Sequence, residues 1–311
     1  MKLLFNLTRL TTAVLATAFL IVSCQKEQSE NNNLTPQEEA QASLYSTEAD
    51  AEADVVFNDV FDNVMGVNDE VGMAGVGVHA RANTTGGNGD VARTDSTRCF
   101  TVTILRSNTG TNTSPFPITV ILDFGNGCVG RDGHLRSGKI ITTYTNRLVV
   151  PGAKATTRFE NFYFDSIHVE GVHEISNVSS QDQMAFKIVV EGAKLTKPNG
   201  NYSQWNSRKT ITRIEGNGTP FWPLDDVFKV EGLANGKVKR GDIIVAWNSE
   251  ITEPLIKKFT CPWIIKGIIR VARLNLSTNS PWVATLNYGN GLCDNKAILT
   301  VNGVSYEITL P

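Results

Sequence analysis

AILTVNGVSYEITL (297–310) decides the fold class. Two runs of β-favouring residues flank Asn302-Gly303, and Asn-Gly suits the positive φ angles of a type I′ turn. After the turn, Val304, Tyr306, Ile308 and Leu310 alternate with Ser305, Glu307 and Thr309. Such alternation predicts an antiparallel hairpin with one face packed and the other wet.

The same grammar extends backwards to residue 98. CFTVTI, ITVILDF, KIITTY, AFKIVVEG, VFKVEG, DIIVAW, WIIKGIIRVARLNL and AILTV are strand-length, rich in Val, Ile, Thr and aromatics, and bounded by Gly or Asn. Further Asn-Gly pairs begin at Asn88, Asn126, Asn199, Asn217, Asn235 and Asn290, each predicting a hairpin turn. A looser repeat, Val169-Glu170-Gly171, Val190-Glu191-Gly192, Ile214-Glu215-Gly216 and Val230-Glu231-Gly232, is too irregular for a solenoid and predicts Gly at successive hairpin bends. No helical period interrupts these runs, which argues against βαβ units. The expected fold class is mainly β, an antiparallel sandwich or an open curved sheet built from hairpins, with one short N-terminal amphipathic helix. Residues 98–311 form this β domain, as one core or two.

Upstream the composition changes. Around residues 47–66, Ser46 or Thr47 can cap, acids fill the first turns, and Val56, Val60, Phe61 and Val64 recur at three-to-four spacing before Gly66. That pattern predicts an amphipathic helix docked on the main domain. Residues 24–46 are polar and read as a flexible tether, and 67–97 as a Gly- and Thr-rich linker. Net charge is −2, but residues 25–54 hold eight acids against Lys26, leaving 26 basic and 23 acidic residues in 55–311. So small an excess gives no basis for binding nucleic acid.

The first 23 residues follow a signal-peptide pattern. Lys2 and Arg9 precede an apolar stretch, Leu10 to Val22, that is too short to span a bilayer. IVSC (21–24) resembles a bacterial lipobox, and the following CQKEQSE resembles the export signal behind the lipidated cysteine of Bacteroidota surface lipoproteins. The remainder is similar in style to that phylum's uncharacterised β-rich lipoproteins. The resemblance implies acylation of Cys24 and an outer-membrane lipid anchor, periplasmic or outward-facing. It implies no activity.

Four cysteines remain, and an exported chain favours disulfides. LDFGNGC (122–128) and LNYGNGLC (286–293) repeat one another, each about a hairpin after a strand that starts with cysteine, which predicts Cys99–Cys128 and Cys261–Cys293. No two of these cysteines have the close spacing of a zinc site. The Gly-Asn-Gly turns lack the strand-to-helix setting of a phosphate loop, and no EF-type calcium register occurs. No cofactor or metal is expected. Neither a Gly-x-Ser-x-Gly elbow nor a free Cys-His pair is present.

His168 and His173, in HVEGVHE, fall on opposite faces of a strand and read as surface residues. The remaining hints of a ligand are Tyr202, Trp205 and Trp222 near Asn- and Asp-rich loops, and Arg131 and His134 in CVGRDGHLRSGK (128–139). Exposed aromatics of this kind stack on sugars or peptides. The expectation is a lipid-anchored envelope protein that binds a glycan, a peptide or a partner protein without catalysis. A carbohydrate-active hydrolase and a structural envelope component are the alternatives.

Overall fold

The computed structural model describes residues 34–66, 91–93, 99–106, 116–130, 132–216 and 225–310. One helix, α1 (Pro36–Met65), is followed by β1 (Val91–Arg93), β2 (Thr101–Arg106), β3 (Ile118–Asp123), β4 (Cys128–Val129), β5 (Leu135–Tyr144), β6 (Lys154–Phe164), β7 (Ile167–Asn177) and β8 (Ala185–Thr196). Then come β9 (Tyr202–Glu215), β10 (Val227–Arg240), β11 (Ile243–Lys258), β12 (Lys266–Arg273), β13 (Ala284–Asn290), β14 (Lys296–Val301) and β15 (Val304–Thr309). Fourteen strands lie in one open antiparallel sheet in chain order, with β4 paired to β5 off that path. The mainly β fold and its open, hairpin-built sheet match the sequence reading.

α1 is longer than its apolar stripe suggests. It begins eleven residues earlier than the 47–66 expectation, within the stretch read as a tether. Thr35 and Glu38 form a capping box and Pro36 occupies the first turn, so Thr35-Pro36-Gln37-Glu38 is the start signal. Gly66, at φ 74°, closes the helix in the left-handed region. The apolar residues Val56, Phe57, Val60, Phe61, Val64 and Met65 are buried as expected, but so are Ser43, Ser46, Thr47, Asp50, Glu52 and Asp54. The helix lies against β9 to β14, and one hydrophobic cluster runs from Ala42 through every long strand to Leu310. There is one core.

Strands of 10–16 residues wrap a helix only if they bend, and many of the bulges that bend them hold a glycine. The repeated Val-Glu-Gly marks them. Register shifts occur at Glu170/Val172, Val190/Ala193 and Val230/Leu233, so three of the four repeats are mid-strand bulges and not hairpin bends. Gly171, at φ 122°, lies so close to β8 that an added Cβ would stand 2.7 Å from the Ala193 Cα. Asn235-Gly236 is likewise mid-strand, contrary to its reading as a turn. There glycine makes a flat seat for Trp247, whose ring would meet a Cβ at 2.5 Å. Asn199-Gly200 and Asn302-Gly303 do turn hairpins.

Disulfides join Cys99 to Cys128 and Cys261 to Cys293. The first ties the start of β2 to β4, and the second ties the β11–β12 connection to the β13–β14 connection. Just past β15, Leu310 is covered as expected, whereas Val304 and Tyr306 within it stay 49% and 48% exposed. β15 is an edge strand that meets α1 only near its end, so the start of its apolar face stays open.

Candidate functional site

The inner face of the sheet is taken up by α1. Six helix acids meet sheet donors in turn. Glu39 binds Arg273 (2.5 Å), and Glu52 binds Lys197 (2.7 Å) and Arg240 (3.3 Å). Asp54 binds Lys209, Asp59 binds Arg136 (2.6 Å), and Asp62 binds Lys257 (3.0 Å). Asp50 is different, because its partners are neutral. Its Oδ1 accepts from Trp205 Nε1 (2.8 Å), Ser249 Oγ (2.9 Å) and, more weakly, Trp247 Nε1 (3.4 Å). Burial raises the Asp50 pKa, against the opposing pull of the Lys209 cation and the Trp205 hydrogen bond.

Trp205 is therefore no ligand platform. It is 2% exposed, stacked on Phe57 at 5.5 Å, and its indole N–H is committed to the helix. Alternation along β9 requires this, since Ser203, Trp205 and Ser207 point inwards when Tyr202 and Gln204 point out. His173 is also internal and not a surface residue. It is fully buried near Phe57, and burial drives its pKa down to about 3, so the ring is neutral at physiological pH. The void beside it, lined by Asp54, Ser207 and Lys209 among others, measures about 20 Å³, room for one water and no more.

The described charged side chains of 128–139 are engaged within the protein. Arg136 lies between Asp59 and Asp132, bidentate to each, over the Phe164 ring. Burial works against its charge, and the two carboxylates outweigh it. His134 Nδ1 lies 2.5 Å from Asp165 Oδ2, and its ring packs on Phe164 at 4.6 Å. His134 is thus engaged internally. Arg131 and Trp222 lie outside the described residues, as does Cys24. Among the described residues no group of three or more His, Cys, Asp or Glu side chains is placed to hold a metal.

A second polar recess of about 440 Å³ lies where the end of β15 approaches α1, lined by Glu48, Glu52, Lys197, Arg240 and Glu307. Its two cations are already bonded to Glu52. Desolvation raises the Glu48 pKa, with Arg240 and Lys197 opposing.

The outer face differs. Residues paired directly across strands share a face, and the register Ser137↔Tyr163↔His168↔Thr196↔Tyr202 draws one lateral row over β5 to β9. Its inward neighbours Arg136, Phe164, Ile167, Leu195 and Ser203 are buried, which places the row outside. Tyr163 is 38% exposed and packs against His168 at 4.8 Å. With Leu135, Ser166 and the Lys197-Pro198 turn, the row lines an open groove of about 620 Å³ beside Tyr202. Behind it a charged row, Glu170↔Lys194↔Gln204↔Lys237, runs parallel, and Lys194 Nζ stands 5.5 Å over the Tyr202 ring.

Of the sequence candidates among the described residues, then, Tyr202 alone joins this surface. Tyr163 and His168 were missed because neither sits in an Asn- or Asp-rich loop of the kind where ligand contacts were sought, although both flank the short β6–β7 turn. Their signal was parity, for both fall opposite buried residues in alternating runs.

Among the described residues no helix is long and apolar enough to cross a membrane. Comparison with protein-family models, with curated proteins and with solved structures finds no match for this chain.

Proposed function

We propose that this chain is a non-catalytic recognition protein, held at the bacterial outer membrane by acylated Cys24, with the outer face of its sheet turned to a ligand. The observation that carries this reading is the contrast between the two faces. The concave face is filled by the chain's own helix, whose carboxylates are bonded to sheet donors. The outer face keeps Tyr163, His168 and Thr196 in an open groove, with Tyr202 next to it in the same row. Aromatic side chains with a wet polar end are the residues that recognition surfaces favour. The lipobox-like IVSC, the post-cysteine acids and two disulfides support an exported, oxidised location.

Cell fractionation tests the anchor. The full chain should sediment with membranes, shift to the soluble fraction as Cys24→Ala, and accumulate unprocessed when lipoprotein signal cleavage is blocked. Protease shaving of intact cells then separates outward from periplasmic display. A wild-type chain that stays soluble, or one that releases reducing ends from the polymers it contacts, overturns the reading.

A further inference from the structure

Tyr163, His168, Thr196 and Tyr202 stand near the ends of four consecutive strands, β6 to β9, none of which is an edge strand. Each of these strands is hydrogen-bonded to a neighbour on both sides. A peptide therefore cannot add here as an extra strand, because the backbone groups that such addition uses are already paired. Recognition has to run through side chains. Those side chains offer two phenol rings, an imidazole and the hydroxyls of Ser137, Ser166 and Thr196.

Charge at the groove is balanced locally. Lys197 is held by Glu52 at 2.7 Å, and Glu170 lies 3.8 Å from His168 and directly across from Lys194. A strongly charged ligand gains little from such a surface. A ligand with C–H faces and a rim of hydroxyls matches it, stacking flat on the rings while its hydroxyls meet Ser, Thr and Lys.

Resting on the recognition reading above, we propose that the row is a binding platform for a neutral linear polysaccharide. The sugar chain lies across the strands, along the row, with rings stacked on Tyr163 and Tyr202. These two residues are three inter-strand steps apart, about 14 Å, so a short run of sugar units bridges them and passes over His168 and Thr196. The groove's volume, about 620 Å³, is within the range of small-ligand sites.

Native gels cast with xyloglucan, galactomannan, α-mannan or dextran test this with the detergent-solubilised full chain. At least one polymer should retard the protein. Tyr163→Ala and Tyr202→Ala should each weaken retardation by roughly three- to tenfold, the usual worth of an aromatic contact. Tyr202→Phe, which keeps the ring, should retain most of it. Glu250→Gln, on exposed β11 surface away from the row, should change nothing. Both tyrosines lie outside the core, so near-ultraviolet circular dichroism should show the variants folded.

Retardation that survives in both alanine variants puts the sugar elsewhere and overturns the row. No retardation by any of the four polymers, with capture of a polyproline peptide that Tyr163→Ala abolishes, overturns the sugar assignment and leaves the recognition reading standing. Failure with polymers and peptide alike overturns both.

Discussion

Asp50 is the point at which helix and sheet depend most on one atom. Its Oδ1 takes hydrogen bonds from Trp205 (2.8 Å) and Ser249 (2.9 Å), with Trp247 at 3.4 Å, all buried. Asp50→Ala removes the acceptor and strands these donors. An orphaned buried donor costs about 1–3 kcal/mol, so the two short bonds set a range of roughly 2–6 kcal/mol. Removing a carboxylate that burial disfavours returns part of that, and about 3 kcal/mol should remain. A typical domain holds only about 5–15 kcal/mol in all. Asp50→Asn keeps an oxygen in place and drops the charge, so it should stay within about 1 kcal/mol of wild type. Urea unfolding followed by tryptophan fluorescence measures both, and the downfield indole N–H resonances of Trp205 and Trp247 report the bonds directly. If Asp50→Ala costs under about 1 kcal/mol, or if Asn is as damaging as Ala, the acceptor role assigned to Oδ1 is wrong.

Four further outcomes are expected. Burial raises the pKa of Asp62 to about 6, as Lys257 satisfies one oxygen while the other, covered from solvent although 27% of the side chain is not, has no partner. A carboxyl with a raised folded pKa binds its proton more tightly in the folded state, so this contribution to stability grows as pH falls from about 6 towards the unfolded value. Stability at pH 5 should exceed that at pH 8 by roughly 1.4 kcal/mol, the worth of the one unit of the shift crossed there, with the remainder gained only towards about pH 4, and a flat profile in pH-dependent unfolding refutes it. The double change Asp62→Leu with Lys257→Met should be near neutral or stabilising and should flatten that slope, whereas Lys257→Met alone, leaving the carboxylate buried, should cost about 3 kcal/mol or more. Gly171→Ala puts a Cβ against the β8 backbone and should cost several kcal/mol, while Gly152→Ala, at φ 83° in open space, should cost only about 1–2 kcal/mol of strain; equal losses in thermal melts would discard the close-approach argument. Serine at Cys99 and Cys128, or at Cys261 and Cys293, should lower stability by about 2–4 kcal/mol for loops of 29 and 32 residues, and non-reduced peptide mapping should recover those two pairs alone.

The sheet was legible because its signals are local. Alternation in 304–310 and Asn-Gly at 199 and 302 place strands and turns without any knowledge of what they pack against. Bulges were not legible. A Val-Glu-Gly reads as a strand followed by a bend, and only the partner strand shows that Gly171 continues the ladder with one residue out of register. Polarity misled at α1 for a related reason. Ser43, Asp50 and Asp54 look wet in sequence, but their partners lie more than 150 residues away, so the burial of Asp50 under Trp205 and Trp247 has no local trace. Tyr202 was found and Trp205 misassigned by one rule applied to loop proximity, when strand parity separates them.

The charges on α1 also bear on why the helix sits where it does. Its bulky aliphatic and aromatic side chains concentrate in Val55–Met65, and the preceding two turns are mostly Ala, Ser, Glu and Asp. Apolar contact alone would let such a helix slide by a turn at little cost, since small residues fit many grooves. Buried ion pairs add little net stability, because desolvation cancels most of the attraction. Their positional demand is another matter. Glu39, Glu52, Asp54, Asp59 and Asp62 each meet a cation on a different part of the sheet, from β5 to β12. A shift of one turn would move all of these carboxylates off their partners together and bury several of them unpaired. The acids that looked like a solvated face in the sequence thus fix the helix in register, and a fixed helix is what lets an open sheet hold its curvature and keep its outer row in line.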